Sequence, residues 1–156
     1  MISISTGKKG ESAMIVRNCA GGVVFYANQV FILKNDKNEW VLPKGKIRTD
    51  ELAADTASNR VEIEAGLEAE ILSTAGETCY EFFSVSRQQP VCNQIVWYIM
   101  NAQSKKYQIN QNEGFLDGGF FPIDEALELI TYSQDRSLVS LSYRKYKEMM
   151  KEKVAM

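Results

Sequence analysis

Strand-like patterning starts at Ala13 and fills the first part of the chain. The run AMIVRNCAGGVVFY (13–26) is rich in β-branched residues, and Gly21-Gly22 in its middle predicts a bend or bulge in one long strand. Asn28-Gln29 punctuates the pattern, and VFILKN (30–35) reads as the second strand of a hairpin. DKNE is a turn. WVLP (40–43) is a short strand that Pro43 ends, because proline has no N–H to give a ladder. After the loop KGKIR the period changes. Leu52, Ala53, Thr56, Ala57, Val61 and Glu64 recur at helical spacing, so a helix is predicted over residues 50–65. Thr49 or Asp50 would cap its start, and Gly66 sits where a C-cap glycine belongs.

Beyond the helix, residues 67–85 alternate well enough for one long bent strand or two strands, and SRQQP is a loop. VCNQIVWYIMNAQ (91–103) is a strongly apolar strand in which Trp97 and Tyr98 read as core. The polar, glycine-rich stretch 108–119 reads as loop. FFPIDEALELI reads as a strand end followed by a helix capped by Asp124. A last amphipathic helix over residues 134–152 gathers Leu138, Leu141, Tyr143, Tyr146 and Met149 near one face. The order is β-β-β-α-β-β-β-α-α, an α/β (α+β) chain rather than a regular βαβ array. Residues 1–12, rich in Ser, Lys and Gly, read as a flexible arm ahead of a single domain over 13–156.

Composition narrows the chemistry. A chain of 156 residues suits one domain with a real core. A net charge of −2 gives no bulk drive toward nucleic acid or acidic membranes. No apolar run nears the ~20 residues that span a bilayer, and the polar start lacks a signal-peptide core, so a cytoplasmic protein is expected. Cys19, Cys79 and Cys92 are odd in number and widely spaced, which argues for reduced thiols and against a disulfide framework or a zinc site. The chain contains no histidine, which removes Ser-His-Asp and Cys-His catalysis. Acid–base chemistry must then rest on carboxylates, lysine, tyrosine or metal-bound water.

With AGGVVFY, VFILKN and WVLPKGKIRTDE leading into a helix and EAGL, the chain resembles the Nudix hydrolase family. It is most similar to the subgroup that cleaves dinucleoside polyphosphates or diphosphoinositol polyphosphates, in which a Trp-x-x-Pro-Lys-Gly run opens the box. The resemblance implies a Nudix-type α/β/α sandwich, a mixed β-sheet with the box helix on one face and C-terminal helices. The family box reads G-x5-E-x7-R-E-u-x-E-E-x-G-u, with u apolar. Gly45, Glu51, Val61, Glu64, Gly66 and Leu67 fit it. The arginine position holds Asn59, the first helix glutamate is Arg60, and the first of the paired glutamates is Ile63.

These departures fall on the metal-binding part. In the family, the box acids gather divalent ions that neutralise a pyrophosphate and activate water. Residues four apart share a helix face, so Arg60 here stands over Glu64 and a salt bridge is expected. Glu62, about 200° from both, points nearly opposite. The resemblance implies Glu64, Glu51 and Glu113 as catalytic carboxylates, with Glu64 and Glu51 as metal ligands. Lys44, Gly45, Lys46, Arg60 and Arg17 are the candidates to bind phosphate or substrate, Arg60 by bidentate contact with a diphosphate. Magnesium or manganese is implied for an active enzyme and no cofactor for a silent one.

Two readings follow. The chain is a pyrophosphohydrolase acting on a nucleoside diphosphate linked to another moiety, its metal-dependent activity weakened by Arg60 and Ile63. Alternatively it is a silent Nudix-fold module that binds a phosphorylated ligand or a protein partner. Both expect a small nucleotide-like ligand, no nucleic acid, no membrane, and a monomer or homodimer.

Overall fold

The computed structural model of the chain describes residues 2–5 and 13–155. One mixed sheet organises the molecule. Its strands are β1 (Ile2–Ser5), β2 (Met14–Tyr26), β3 (Gln29–Asn35), β4 (Trp40–Val41), β5 (Lys44–Lys46), β6 (Ala69–Ser84), β7 (Gln89–Ala102) and β8 (Phe115–Pro122). Helix α1 (Ala53–Ala65) follows β5, and α2 (Ile123–Leu129) and α3 (Ser133–Ala155) close the chain. The sheet runs β4-β3-β2-β7-β6, with β1 and β5 also paired to β2 and β8 paired to β3. Among the described residues only the β2–β7 pairing is parallel.

Strand alternation splits the core in two. Val23, Phe25, Ile95, Trp97 and Ile99 project to one face, where they pack with Ala126, Ile130, Val139 and Tyr146 of α2, its C-cap and α3. Ala20, Val24, Phe31 and Met100 project to the other, against Ala57, Val61 and Ala65 of α1. The central strands β2, β3 and β7 therefore bury residues on both faces, which explains why β2 and β7 read as apolar runs rather than as clean alternation. The result is the α/β/α sandwich expected, with the box helix on one face.

Several boundaries differ from the sequence reading. Helix α1 starts at Ala53, not at residue 50, because Asp50 takes a left-handed backbone (φ 67°) and Leu52 becomes the N-cap without a side-chain cap bond. Gly66 does cap its C-terminus, donating to the Glu62 carbonyl at 2.8 Å. Asp124 lies in the first turn of α2 rather than at its cap, which is Pro122. Strand β8 begins at Phe115, inside the stretch read as loop. Ile2–Ser5, read as part of a flexible arm, pairs antiparallel with the start of β2, and residues 6–12 of that arm lie outside the described residues.

The Gly21-Gly22 bend is replaced by close packing. β2 runs through both glycines in unbroken register with β7. A Cβ on Gly21 would meet Trp97 at 2.5 Å and the Pro43 carbonyl at 2.6 Å, and one on Gly22 would meet Met100 and Val61 at 2.9 Å. The glycines let β5 and α1 close onto the sheet. The thiol reading is corrected as well: Cys79 and Cys92 form a disulfide between adjacent strands β6 and β7, with Cα atoms 6.4 Å apart, and Cys19 is the free, buried thiol. Sequence spacing missed the pair because antiparallel strands bring distant residues side by side.

Candidate functional site

The box loop, β5 and α1 form one wall of an open cavity of about 910 Å3. Gly45, Lys46, Arg48 and Glu51 line it from the loop, and Asn59, Arg60, Glu62 and Ile63 from the helix. Arg48 and Arg60 bring cations to its wall and Glu51 and Glu62 bring carboxylates, so the lining is mixed in charge.

Arg60 is the centre of this site. Its Nε donates to Glu64 Oε2 at 2.8 Å, and a terminal nitrogen donates to Glu113 Oε2 at 3.3 Å. Glu113 comes from a single 3-10 turn, Gln111–Glu113, ahead of β8. Burial opposes the charge on Arg60, but the two carboxylates more than offset it and hold the guanidinium protonated. Glu64 is 1% exposed. Burial pushes its carboxyl up to about 7, against the downward pull of Arg60. Gly45 makes room for this arrangement, since a Cβ there would lie 2.5 Å from Arg60 Cδ and 2.6 Å from its Nε. The box glycine and Arg60 are packed as a unit.

The remaining candidates divide between two places. Glu51 lines the same cavity, but its carboxylate accepts a short hydrogen bond from Thr56 Oγ1 in the first turn of α1. Glu62 is at the cavity wall too, contrary to the expectation that it points away; the cavity wraps far enough around the exposed helix to include it. Ile63 is 43% exposed. Lys44 turns instead into a second cavity, of about 540 Å3, on the other face of the sheet. Its register partner is Gly21 whereas that of Gly45 is Ala20, so the strand pleat sends Lys44 and Gly45 to opposite faces.

Thr78, Tyr80 and Phe82 of β6, Asn93 and Ile95 of β7, and Tyr132 and Asp135 beside α3 complete that second cavity. Tyr132 donates to Glu39 Oε2 in a short hydrogen bond and its ring meets that of Tyr80 edge-on at 5.1 Å. The bonds from Tyr132 and Asn35 lower the Glu39 carboxyl, while burial raises the phenol of Tyr132. Burial likewise raises the Asp135 carboxyl, partly opposed by Lys44. Arg17 pairs in register with Asn93 and shares this face. Arg17 Nε and Asn93 Oδ1 are buried with no hydrogen-bond partner among the described residues. Such neighbouring orphans, one donor and one acceptor, are matched to a polar ligand. The sequence reading passed over Tyr80, Asn93, Tyr132 and Asp135. Alternation along residues 78–82 was the available signal.

A sheet sandwiched between a box helix and C-terminal helices, with an open cavity at the loop–helix junction, is the Nudix architecture. A family model described as the NUDIX domain matches residues 9–141, and the chain belongs to that family. Solved structures agree on the fold. An Ap4A hydrolase of C. elegans, as a binary complex, superposes with a TM-score of 0.64 at 14% identity, covering 85% of this chain and 98% of that one. A NUDIX hydrolase from Nitrosomonas europaea gives 0.66 at 12% identity, covering 93% and 88%. An ADP-ribose pyrophosphatase from Streptococcus suis gives 0.65 at 17% identity, covering 83% and 91%.

Nudix hydrolases generally use divalent metal ions. The residues present here do not fit one as they stand. Magnesium demands hard oxygen ligands in octahedral array. Glu64 and Glu113 are both engaged by the Arg60 guanidinium, Glu51 by Thr56, and position 63 offers only hydrocarbon.

Proposed function

We propose that this Nudix protein binds a phosphorylated, nucleotide-like ligand that starts in the box cavity and reaches round the edge strand β5 toward the second, and that Arg60 supplies a fixed guanidinium where its relatives recruit a metal ion. Metal-dependent cleavage of a pyrophosphate bond is thereby weakened or lost. The observation that carries this reading is the pair of bonds from Arg60 to Glu64 and Glu113. A guanidinium held between two carboxylates uses up the oxygens that a divalent cation would need. Arg48 beside it suits phosphate oxygens, and Lys44, Arg17 and Asn93 suit polar groups of the moiety beyond β5.

A second reading, an active pyrophosphohydrolase acting on a nucleoside diphosphate linked to another moiety, is favoured by the family match and by the retention of Gly45, Glu51, Glu64 and Gly66. One set of measurements separates the two. The protein is titrated by calorimetry with dinucleoside polyphosphates, nucleotide sugars and nucleoside triphosphates, in chelator and then in magnesium or manganese, while phosphate-bond cleavage is followed. The proposal expects binding without metal and slow or undetectable cleavage, with Arg60→Glu plus Ile63→Glu gaining manganese binding. Brisk metal-dependent cleavage by the native protein would sink it. If Glu64→Gln then left that cleavage unchanged, the site assignment would fall too.

A further inference from the structure

On the α1 side of the sheet, away from the second cavity, lies a cluster that the Nudix reading does not use. Cys79 and Glu81 sit two apart on β6, and Cys92 is the register partner of Glu81 on β7. Thr78, Tyr80 and Phe82 turn to the opposite face, and no register shift interrupts the pleat between Glu77 and Ser84. The two sulfurs and a Glu81 oxygen all lie within 4.8 Å of one another. We infer that, once its disulfide is reduced, this cluster is a binding site for one thiophilic divalent cation such as zinc, held by Cys79, Cys92 and Glu81.

The donor set fits that ion class. Zinc takes thiolate sulfur at about 2.3 Å and carboxylate oxygen at about 2.0–2.2 Å in tetrahedral array, so paired ligands stand roughly 3.3–3.8 Å apart. Donor atoms already within 4.8 Å of one another reach that range with little strand movement. Cys79 and Glu81 are exposed and Cys92 is buried beneath them, so solvent can supply the fourth ligand. Thiolate donors select zinc over magnesium or calcium, which sets this site apart from the all-oxygen chemistry of a Nudix box. Among the described residues no lysine or arginine is ion-paired to Glu81.

Disulfide and metal exclude each other, because both use the same sulfurs. A dithiol reductant donates two electrons and two protons to the Cys79–Cys92 bond, giving two thiols and the oxidised, cyclic dithiol. Zinc then displaces the two thiol protons to solvent. A disulfide oxidant such as oxidised glutathione takes the two electrons, and two protons from solvent, becomes two thiols, re-forms the Cys79–Cys92 bond and releases the ion. The site is independent of what the Nudix cavities bind.

The test uses the whole chain. Protein reduced with dithiothreitol and transferred into a phosphine reductant is titrated with zinc against a chromophoric chelator, and separately with cobalt. One zinc per chain is expected, with a sulfur-to-cobalt charge-transfer absorption, and both should vanish on oxidation. Cys79 is exposed, so Cys79→Ser keeps the fold where Cys92→Ser could lose it. Cys79→Ser should weaken zinc by more than the roughly 10–100-fold that loss of an outer partner costs. Glu81→Gln should weaken it as well, and Cys19→Ser should not. Equal zinc affinity in Cys79→Ser and the reduced native protein overturns the inference, as does cobalt bound without a thiolate band. Nucleotide binding measured in the same samples reports on the Nudix cavities separately.

Discussion

Arg60 and Glu64 are joined by an ion pair of 2.8 Å across one turn of α1, and the carboxylate is the buried partner. Most i,i+4 pairs are solvated and add little. Here one member is removed from water and the other leans over Gly45, so the pair fixes the electrostatics of the whole cavity.

Replacing Arg60 with Gln should destabilise the protein by about 1–3 kcal/mol at neutral pH, the cost of leaving a buried acceptor without its charged donor. The loss is bounded because Glu64, already near neutrality, can take up a proton instead of staying charged. Urea denaturation of both proteins measures it. A change below a few tenths of a kcal/mol would mean that the pair does not persist in solution.

Glu64 should also leave a signature in stability against pH. Its native pKa, about 7, lies above the ordinary 4.5, so the native state binds more protons than the unfolded state between those values. The contribution is fully present below about pH 4.5 and is lost as pH rises through 7, by about 3 kcal/mol in all at about 1.4 kcal/mol per pH unit. Glu64→Gln cannot ionise. Its stability relative to the native protein should therefore rise across that window, and parallel curves from pH 4.5 to 8 would contradict the assignment.

Gly45→Ala should cost about 1–3 kcal/mol through overpacking, since the new methyl group meets Arg60 at 2.5–2.8 Å. The cost should shrink when Arg60→Ala is already present, because alanine lacks the Cγ, Cδ and Nε that the methyl group meets. A double-mutant cycle read by thermal denaturation would show that coupling. Additive effects would place the strain elsewhere in β5.

Arg17→Met should barely change stability, within about 0.5 kcal/mol, because its Nε has no partner to lose. Affinity for a nucleotide-like ligand should nevertheless fall about tenfold or more, the worth of a charge-assisted hydrogen bond. Calorimetry on the two proteins separates the effects. Unchanged affinity would remove Arg17 from the ligand site.

Much of the fold was legible because its signals are local. Proline and glycine punctuation separated the first strands, helical spacing marked α1, and Gly66 announced its end. The Arg60–Glu64 contact was legible for the same reason, being a single helical turn. What escaped depends on pairing between distant segments. Nothing near Cys79 in sequence points to Cys92, and Tyr80 meets Tyr132 only because β6 and the start of α3 converge. Asp50 escaped for a local reason: it is a good cap by residue type, and its left-handed backbone moved the helix start to Ala53.

Strand β2 is made well before β7, its parallel partner along eleven registered residues. During synthesis β2 must wait, one long edge unsatisfied, until the box, α1 and all of β6 have emerged. Closing so large a loop before any reward is collected makes this the slow step of assembly. Until then the nascent chain exposes an apolar ribbon that a chaperone, or a neighbouring copy, could cover first.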